Sequence, residues 1–226
     1  MKVLSFVIIA FIALIQAVGQ EKSNPIETPF SLLKVSGNIH VELVSSDIQQ
    51  LIFLSEEKPE ELDIKIQDEQ LVLKTKSELS KSQAMELKLQ YVNLSGLEIT
   101  KGSRVQSEDT LITEVLQLDV LTGGKAELSV RVDSLSVRVN QGADVILCGN
   151  TRSQFINAYT WGNYLAGELE ALDAYVKAAT GAQVKINSSR LLDASATSKG
   201  FVGYLGDPDQ KREKTSVGGE ITPIDE

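Results

Sequence analysis

The chain has one cysteine and one histidine in 226 residues, and each scarcity closes off a class of chemistry. Cys148 alone cannot close an intramolecular disulfide, so stability has to come from packing. It stands between Leu147 and Gly149 with no evident base beside it and reads as a small packed thiol. His40, flanked by Ile39 and Val41, is the only residue that could serve a Ser-His-Asp triad, and no G-x-S-x-G elbow accompanies it. Its apolar neighbours place it on the outward side of a strand. With no histidine cluster or paired cysteines there is no set of ligands for zinc or iron. A G-x-G-x-x-G before a helix and a phosphate loop are both missing, so no cofactor site is expected. Basic residues are also short, 22 against 31 acidic ones for a net charge of −9, which argues against nucleic acid and anionic membranes as partners.

Only one long apolar run occurs, from Val3 to Ile15, after Lys2 and before Ala17-Val18-Gly19. One cation, an apolar stretch and an A-x-G site describe an export signal cleaved after Gly19. A membrane anchor is the alternative, although the run is short of the roughly 18 apolar residues a spanning helix needs. Cleavage removes one lysine and no acid, taking the charge from −9 to −10. The processed chain is expected to be soluble, with no transmembrane segment, in the periplasm, on the outer surface or outside the cell.

What is present is alternation and a repeat. Residues 20–28 are polar and read as a lead-in arm. From Phe30 onward apolar residues fall two apart: Ile39, Val41 and Leu43, then Leu62, Ile64 and Ile66, answered across Gln67-Asp68-Glu69-Gln70 by Leu71, Leu73 and Thr75 as a hairpin. Leu51-Ile52-Phe53-Leu54 is a further strand. The charged stretch Glu56 to Glu61 reads as a solvated loop and Ser77 to Ser82 as a connection. Beyond residue 100, glycine returns at 102, 123, 142, 162, 181 and 200. With units aligned on the glycines, the inward positions hold Leu116, Leu135, Phe155 and Ala174, then Leu118, Val137, Asn157 and Val176, then Val120, Val139, Tyr159 and Ala178. After each glycine come Ala126, Val145, Leu165 and Val184, then Leu128, Leu147, Gly167 and Ile186. Only Asn157 and Gly167 break the apolar pattern.

A unit of about 20 residues is too short for a strand, a crossover helix and a return strand, which need roughly 30. It holds two or three short strands joined by tight turns, one coil of a β-helix, with coils pairing in parallel about 4.8 Å apart. The expected fold is all-β: a right-handed single-stranded β-helix of about 19–20 residues per coil over 101–209, with a more irregular β part over 29–100. A β-sandwich is the alternative, because antiparallel strands with frequent glycine turns alternate similarly. Residues 210–226 read as a polar, frayed tail.

The segments Thr180-Gly181-Ala182-Gln183-Val184-Lys185-Ile186 and Thr197-Ser198-Lys199-Gly200-Phe201-Val202-Gly203-Tyr204-Leu205-Gly206-Asp207-Pro208, with the opening Val35-Ser36-Gly37-Asn38-Ile39-His40-Val41-Glu42-Leu43, resemble the head GIN domain family of putative autotransporter adhesins. The resemblance covers about residues 29–209. It implies a secreted or surface protein of Bacteroidetes-type bacteria, a pectin-lyase-like coil, no shared catalytic set, and adhesion as the proposed role. The chain departs from the family pattern at Phe201 and at Trp161-Gly162-Asn163.

Two constellations remain. Asp119, Arg138 and Lys177 occupy equivalent outward positions, with Ala158 interrupting the row. They fit either the acids and bases of a polysaccharide lyase or an exposed charge ladder that protects the sheet. Trp161, Tyr164 and Tyr175 lie in or beside neighbouring coils, with Tyr164 and Tyr175 outward. Such rings could stack on sugars, anchor a protein or shield a turn. The reading is a secreted non-enzymatic surface module, an adhesin for a glycan or protein ligand, with oligomer formation left open. A carbohydrate-active enzyme on acidic glycans and a purely structural envelope protein are the alternatives. Terminal sequencing of exported material should find Gln20 as the first residue; material beginning at Met1 would refute the processing site.

Overall fold

A computed structural model describes residues 22–54, 61–76 and 84–225. The export segment, most of the Glu56–Glu61 loop and the connection at 77–82 lie outside the described residues. Among those described there is no helix, and hence none long and apolar enough to cross a membrane. The strands form one hydrogen-bonded β-solenoid.

Its body is built from β9 (Arg104–Leu121), β10 (Lys125–Asn140), β11 (Asp144–Ala158) and β12 (Asn163–Ala179), which pair in parallel and in order. Each is long enough to run along one side of the rod, bend, and return along the other. Further on, the same path is split into β13 (Gln183–Asn187) and β14 (Leu191–Thr197), β15 (Phe201–Leu205) and β16 (Gln210–Ser216), and lastly β17 (Glu220–Pro223). Strands β13, β15 and β17 extend one side, while β14 and β16 extend the other. The region expected to be a frayed tail from residue 210 is therefore ordered into a further coil.

Parallel pairing in register stacks like positions into ladders, and the alternation of each strand sends every second ladder inward. One side contributes Val105, Ala126, Val145, Tyr164, Val184 and Val202 in a single row. The other contributes Leu118, Val137, Ile156, Val176 and Ala194. All of these are buried. In the β16 coil the inward positions that follow Leu192, Ala194 and Ala196 are Lys211, Glu213 and Thr215, all exposed. Two irregularities set the coil length. The β9–β10 register shifts between Glu127 and Ser129, and the β11–β12 register between Ile146 and Cys148. These insertions lengthen the affected coils beyond the 19-residue spacing that separates Gly123 from Gly142.

The N-terminal part plugs the other end of the rod. β2 (Leu32–Ser36) and β3 (Ile39–Ser45) form a coil held between a coil of β6 (Gln70–Thr75) and β7 (Met85–Tyr91) and a coil that starts with β8 (Gly96–Thr100) and continues into β9. The expected hairpin forms: β5 (Leu62–Gln67) pairs antiparallel with β6. β4 (Gln50–Phe53) pairs antiparallel with β7, and β1 (Lys22–Pro25) with β4. Residues 22–25 thus form an edge strand where polar composition suggested a loose arm. His40 is half-buried beside Glu86, with Nδ1 and Oε1 2.8 Å apart.

Because Val145 is fully buried between Ala126 and Tyr164, Val145→Asp places a carboxylate in an apolar ladder with no partner. It should lower stability by several kcal/mol. Urea denaturation checks this; an unchanged midpoint would contradict the register.

Candidate functional site

Coils meet along one edge of the rod in a row of turns. In each, two consecutive residues have positive φ: Lys101 and Gly102, Thr122 and Gly123, Gln141 and Gly142, Thr160 and Trp161, Thr180 and Gly181, Ser198 and Lys199, Val217 and Gly218. That is the geometry of a type I′ turn, and six of the seven carry the closing i→i+3 bond, as in Gly124 N to Leu121 O at 3.0 Å and Gly162 N to Tyr159 O at 3.0 Å. The turns are also tied to one another. The amide of Gly142 donates to Thr160 O (3.1 Å), Trp161 to Thr180 O (3.1 Å), Gly181 to Ser198 O (3.1 Å) and Lys199 to Val217 O (3.2 Å). The result is a ridge with a hydrogen-bonded backbone rail.

The second position of each turn points away from the rod. A Cβ placed on Gly102, Gly123 or Gly142 would meet nothing within 4 Å. Glycine suits the left-handed conformation there, whereas a side chain costs roughly 1–2 kcal/mol. Trp161 takes that position nonetheless, with φ 61° and 66% exposure. Its six-membered ring lies broadside over the next turn: a Cβ on Gly181 would fall 2.9 Å from both Cε3 and Cζ3 and 3.1 Å from Cδ2. Gly181 is buried, while Gly102, Gly123, Gly142 and Gly218 at the equivalent positions are exposed. One face of the indole is pinned on backbone and the other faces solvent. Lys199, the second departure from glycine, leans the same way, its Cγ 3.8 Å from where a Cβ of Gly218 would be.

The surroundings of Trp161 are polar and hydrogen-bonding, with one acid, Asp144, in the adjoining row. Asn163 and Gln183 stand in register at the start of the adjoining strands, and Asn163 Nδ2 donates to Asp144 Oδ1 at 2.7 Å. Tyr159 is half-buried on the other flank. The fourteen turn residues named above include two lysines and no acid, on a chain of net charge −9.

Trp161 thus stands where a surface residue was expected, but Tyr164 does not. Its ring is buried in the ladder between Val145 and Val184, and its hydroxyl donates to Gln154 Oε1 at 2.9 Å. Burial pushes this phenol well above its ordinary range. The cause of the error is one residue of register. Trp161, and not Gly162, is the equivalent of Gly123, Gly142 and Gly181. Across this coil the inward residues are therefore Gln154, Ile156, Ala158, Tyr164 and Ala166, in place of Phe155, Asn157, Tyr159, Leu165 and Gly167. The same slip puts Asn157, not Ala158, in the row of Asp119, Arg138 and Lys177. In that row Arg138 Nε lies 3.0 Å from Asp119 Oδ1, so these charges neutralise each other.

Tyr175 is half-buried and outward as expected, on the side of the rod away from the β13 strand. It stacks on Phe155, ring centroids 4.9 Å apart and planes 6° from parallel. Each ring covers a face of the other, which leaves less flat surface than Trp161 offers. A groove of about 900 Å³ crosses the opposite side, lined among others by Glu127, Ser129, Cys148, Leu165, Glu168 and Lys185. Cys148 is half-buried there, its Sγ 3.9 Å from Leu128 O. At the far edge Arg190 Nε donates to Asp173 Oδ1 at 2.8 Å, which holds that carboxyl below its ordinary range. Sequence reading missed Gly181, Lys199 and Phe155. Aligning Trp161 and Lys199, in place of Gly162 and Gly200, with Gly142 and Gly181 would have turned Phe155 outward and set Lys199 on the ridge.

A family model described as "Putative auto-transporter adhesin, head GIN domain" matches residues 29–208. The solved structures that resemble the fold include a putative adhesin from Bacteroides fragilis, with TM-score 0.76 and 18% identity over 90% of this chain and 95% of that one. A putative adhesin from Parabacteroides merdae aligns with TM-score 0.68 and 16% identity over 90% and 95%. A putative lipid binding protein from Parabacteroides distasonis aligns with TM-score 0.67 and 14% identity over 92% and 98%. At these identities the likeness is one of fold. No curated protein matches the chain.

Gly181→Ala should displace the indole and strain the turn, costing about 1–2 kcal/mol. Because Trp161 is the single tryptophan, its fluorescence reports the displacement directly as greater quenching by acrylamide. Unchanged quenching would mean that the ring does not rest on Gly181.

Proposed function

Since the chain belongs to the head GIN domain family of putative auto-transporter adhesins, we propose that it is an exported surface module that holds a ligand without transforming it. The observation that carries this reading is Trp161, the chain's one tryptophan, kept in a left-handed turn position and open to solvent. Conformational strain persists where the surrounding structure over-determines it, and it clusters at ligand-contacting sites. The rail of turn-to-turn hydrogen bonds fixes the ring before any partner arrives, which lowers the ordering cost of binding. The interior ladders are filled by Val145, Tyr164, Ile156 and their neighbours, so the reading assigns the ligand to the outside of the rod.

Enzymatic turnover draws less support. The row that best resembled an acid–base set has its Asp119 and Arg138 engaged with each other at 3.0 Å, and His40 is joined to Glu86 at the plugged end of the rod.

Residues 20–226, labelled and applied to intact bacterial and epithelial cells, should be retained on at least one of them. Incubation with acidic polysaccharides should release neither reducing ends nor unsaturated uronates. Release of either would replace the binding reading with the enzymatic one, and failure to be retained on any cell would refute adhesion.

A further inference from the structure

We propose that Trp161 is the stacking platform for one pyranose ring of an acidic polysaccharide, whose chain runs along the ridge so that an anionic group meets Lys199. The inference rests on the binding reading above and names its ligand class.

Three observations point to a sugar. First, the indole lies flat, one face on Gly181 and the other open. The open face is the electron-rich surface of the ring, and the C–H groups on one side of a pyranose present the matching weakly positive apolar surface. A ring standing on edge could not be used in this way.

Second, the neighbours of the indole suit hydroxyl groups. Thr160 and Thr180 in the turns, with Gln183 and the Oδ1 of Asn163 beside them, offer uncharged donors and acceptors, while the Nδ2 of Asn163 is given to Asp144. A protein hot spot needs a surrounding ring of near-neutral contacts that excludes water. The ridge flanks Trp161 with Gly142, Gly181 and threonines, which rise too little around an indole 66% exposed to close such a ring, and Tyr159 beside it is half-buried.

Third, the ridge differs in charge from the rest of the chain. No acid occurs among its fourteen turn residues, and Lys199 projects two coils beyond Trp161. At about 4.8 Å per coil this is roughly 10 Å. Lys199 is exposed and forms no ion pair with a described residue. On a chain of net charge −9, an ammonium in line with a flat ring selects a neutral sugar face followed by an anion; the ridge's other lysine, Lys101, lies three coils away on the opposite side of Trp161.

The test uses β-1,4-mannohexaose and β-1,4-hexamannuronate, which share ring stereochemistry and differ in carboxylates. Hexamannuronate should shift the Trp161 emission to the blue and protect it from acrylamide. By calorimetry, Trp161→Gly should weaken binding about thirtyfold. That variant has the residue found at five of the other turns, so its melting temperature should stay at or above the parent's. Lys199→Ala should bring hexamannuronate down to the affinity of mannohexaose. The platform is overturned if hexamannuronate leaves emission and quenching unchanged, or if Trp161→Gly binds it as the parent does. Equal affinity of the parent for both hexamers would overturn the role of Lys199. Retention on cells together with an unmoved Trp161 signal would sink this inference and leave the adhesive reading standing.

Discussion

Everything in this protein depends on parallel strands stacking in strict register, one coil upon the next. A coil has no core of its own, since its inward side chains are buried only when the coils above and below supply theirs. The turns are what keep this stacking possible. Two consecutive residues in the left-handed region reverse the chain tightly enough for each turn amide to reach the carbonyl of the next turn, so the edge of the rod is hydrogen-bonded as continuously as its sides. Strain at a turn is tolerated because the neighbouring turns fix it, and this is why a tryptophan can occupy a position that suits glycine.

Much of this architecture was legible in the chain itself. Alternation identified the strands, the glycine spacing identified the coil, and the inward placement of Val145 and Val184 follows from both. The site was only half legible, and for one reason. Glycine marks two different positions in these turns: the outward left-handed one, as in Gly142 and Gly181, and the next one, where Gly162 and Gly200 approach the carbonyls of Val139 and Ala178. Alignment on the letter alone shifts the Trp161 coil by one residue, which in a strand exchanges inside for outside. Asn157 and Gly167, the two polar or small residues that spoiled the inward rows, were the trace of that shift. The lead-in and the start of the tail were misjudged because β1 and β16 are polar on both faces and carry no alternation to read.

The core also explains why Tyr164 had to point inward. On the side opposite it, the inward row falls from Leu116 and Leu135 to Gln154 and Ala174, and another from Val120 and Val139 to Ala158, Ala178 and Ala196. A large ring on one side fills what small side chains leave on the other. Gln154 is itself buried and answers the phenol hydroxyl, then donates through Nε2 to Asn187 O at 3.2 Å. The polar link ties the two sides of the rod at the very coil that presents Trp161 outside.

The charged residues at the inward positions of the last coil have a consequence for assembly. A solenoid end is a template: its open strand can accept another strand, and a rod of like ladders could in principle polymerise tip to tail. To continue the ladders beyond β16, an incoming coil would have to bury Lys211 and Glu213 against apolar side chains, which desolvation strongly opposes. The charged face of β16 therefore opposes tip-to-tail stacking along that side of the rod, while on the other side Ile221 carries the apolar row of Val184 and Val202 one coil further.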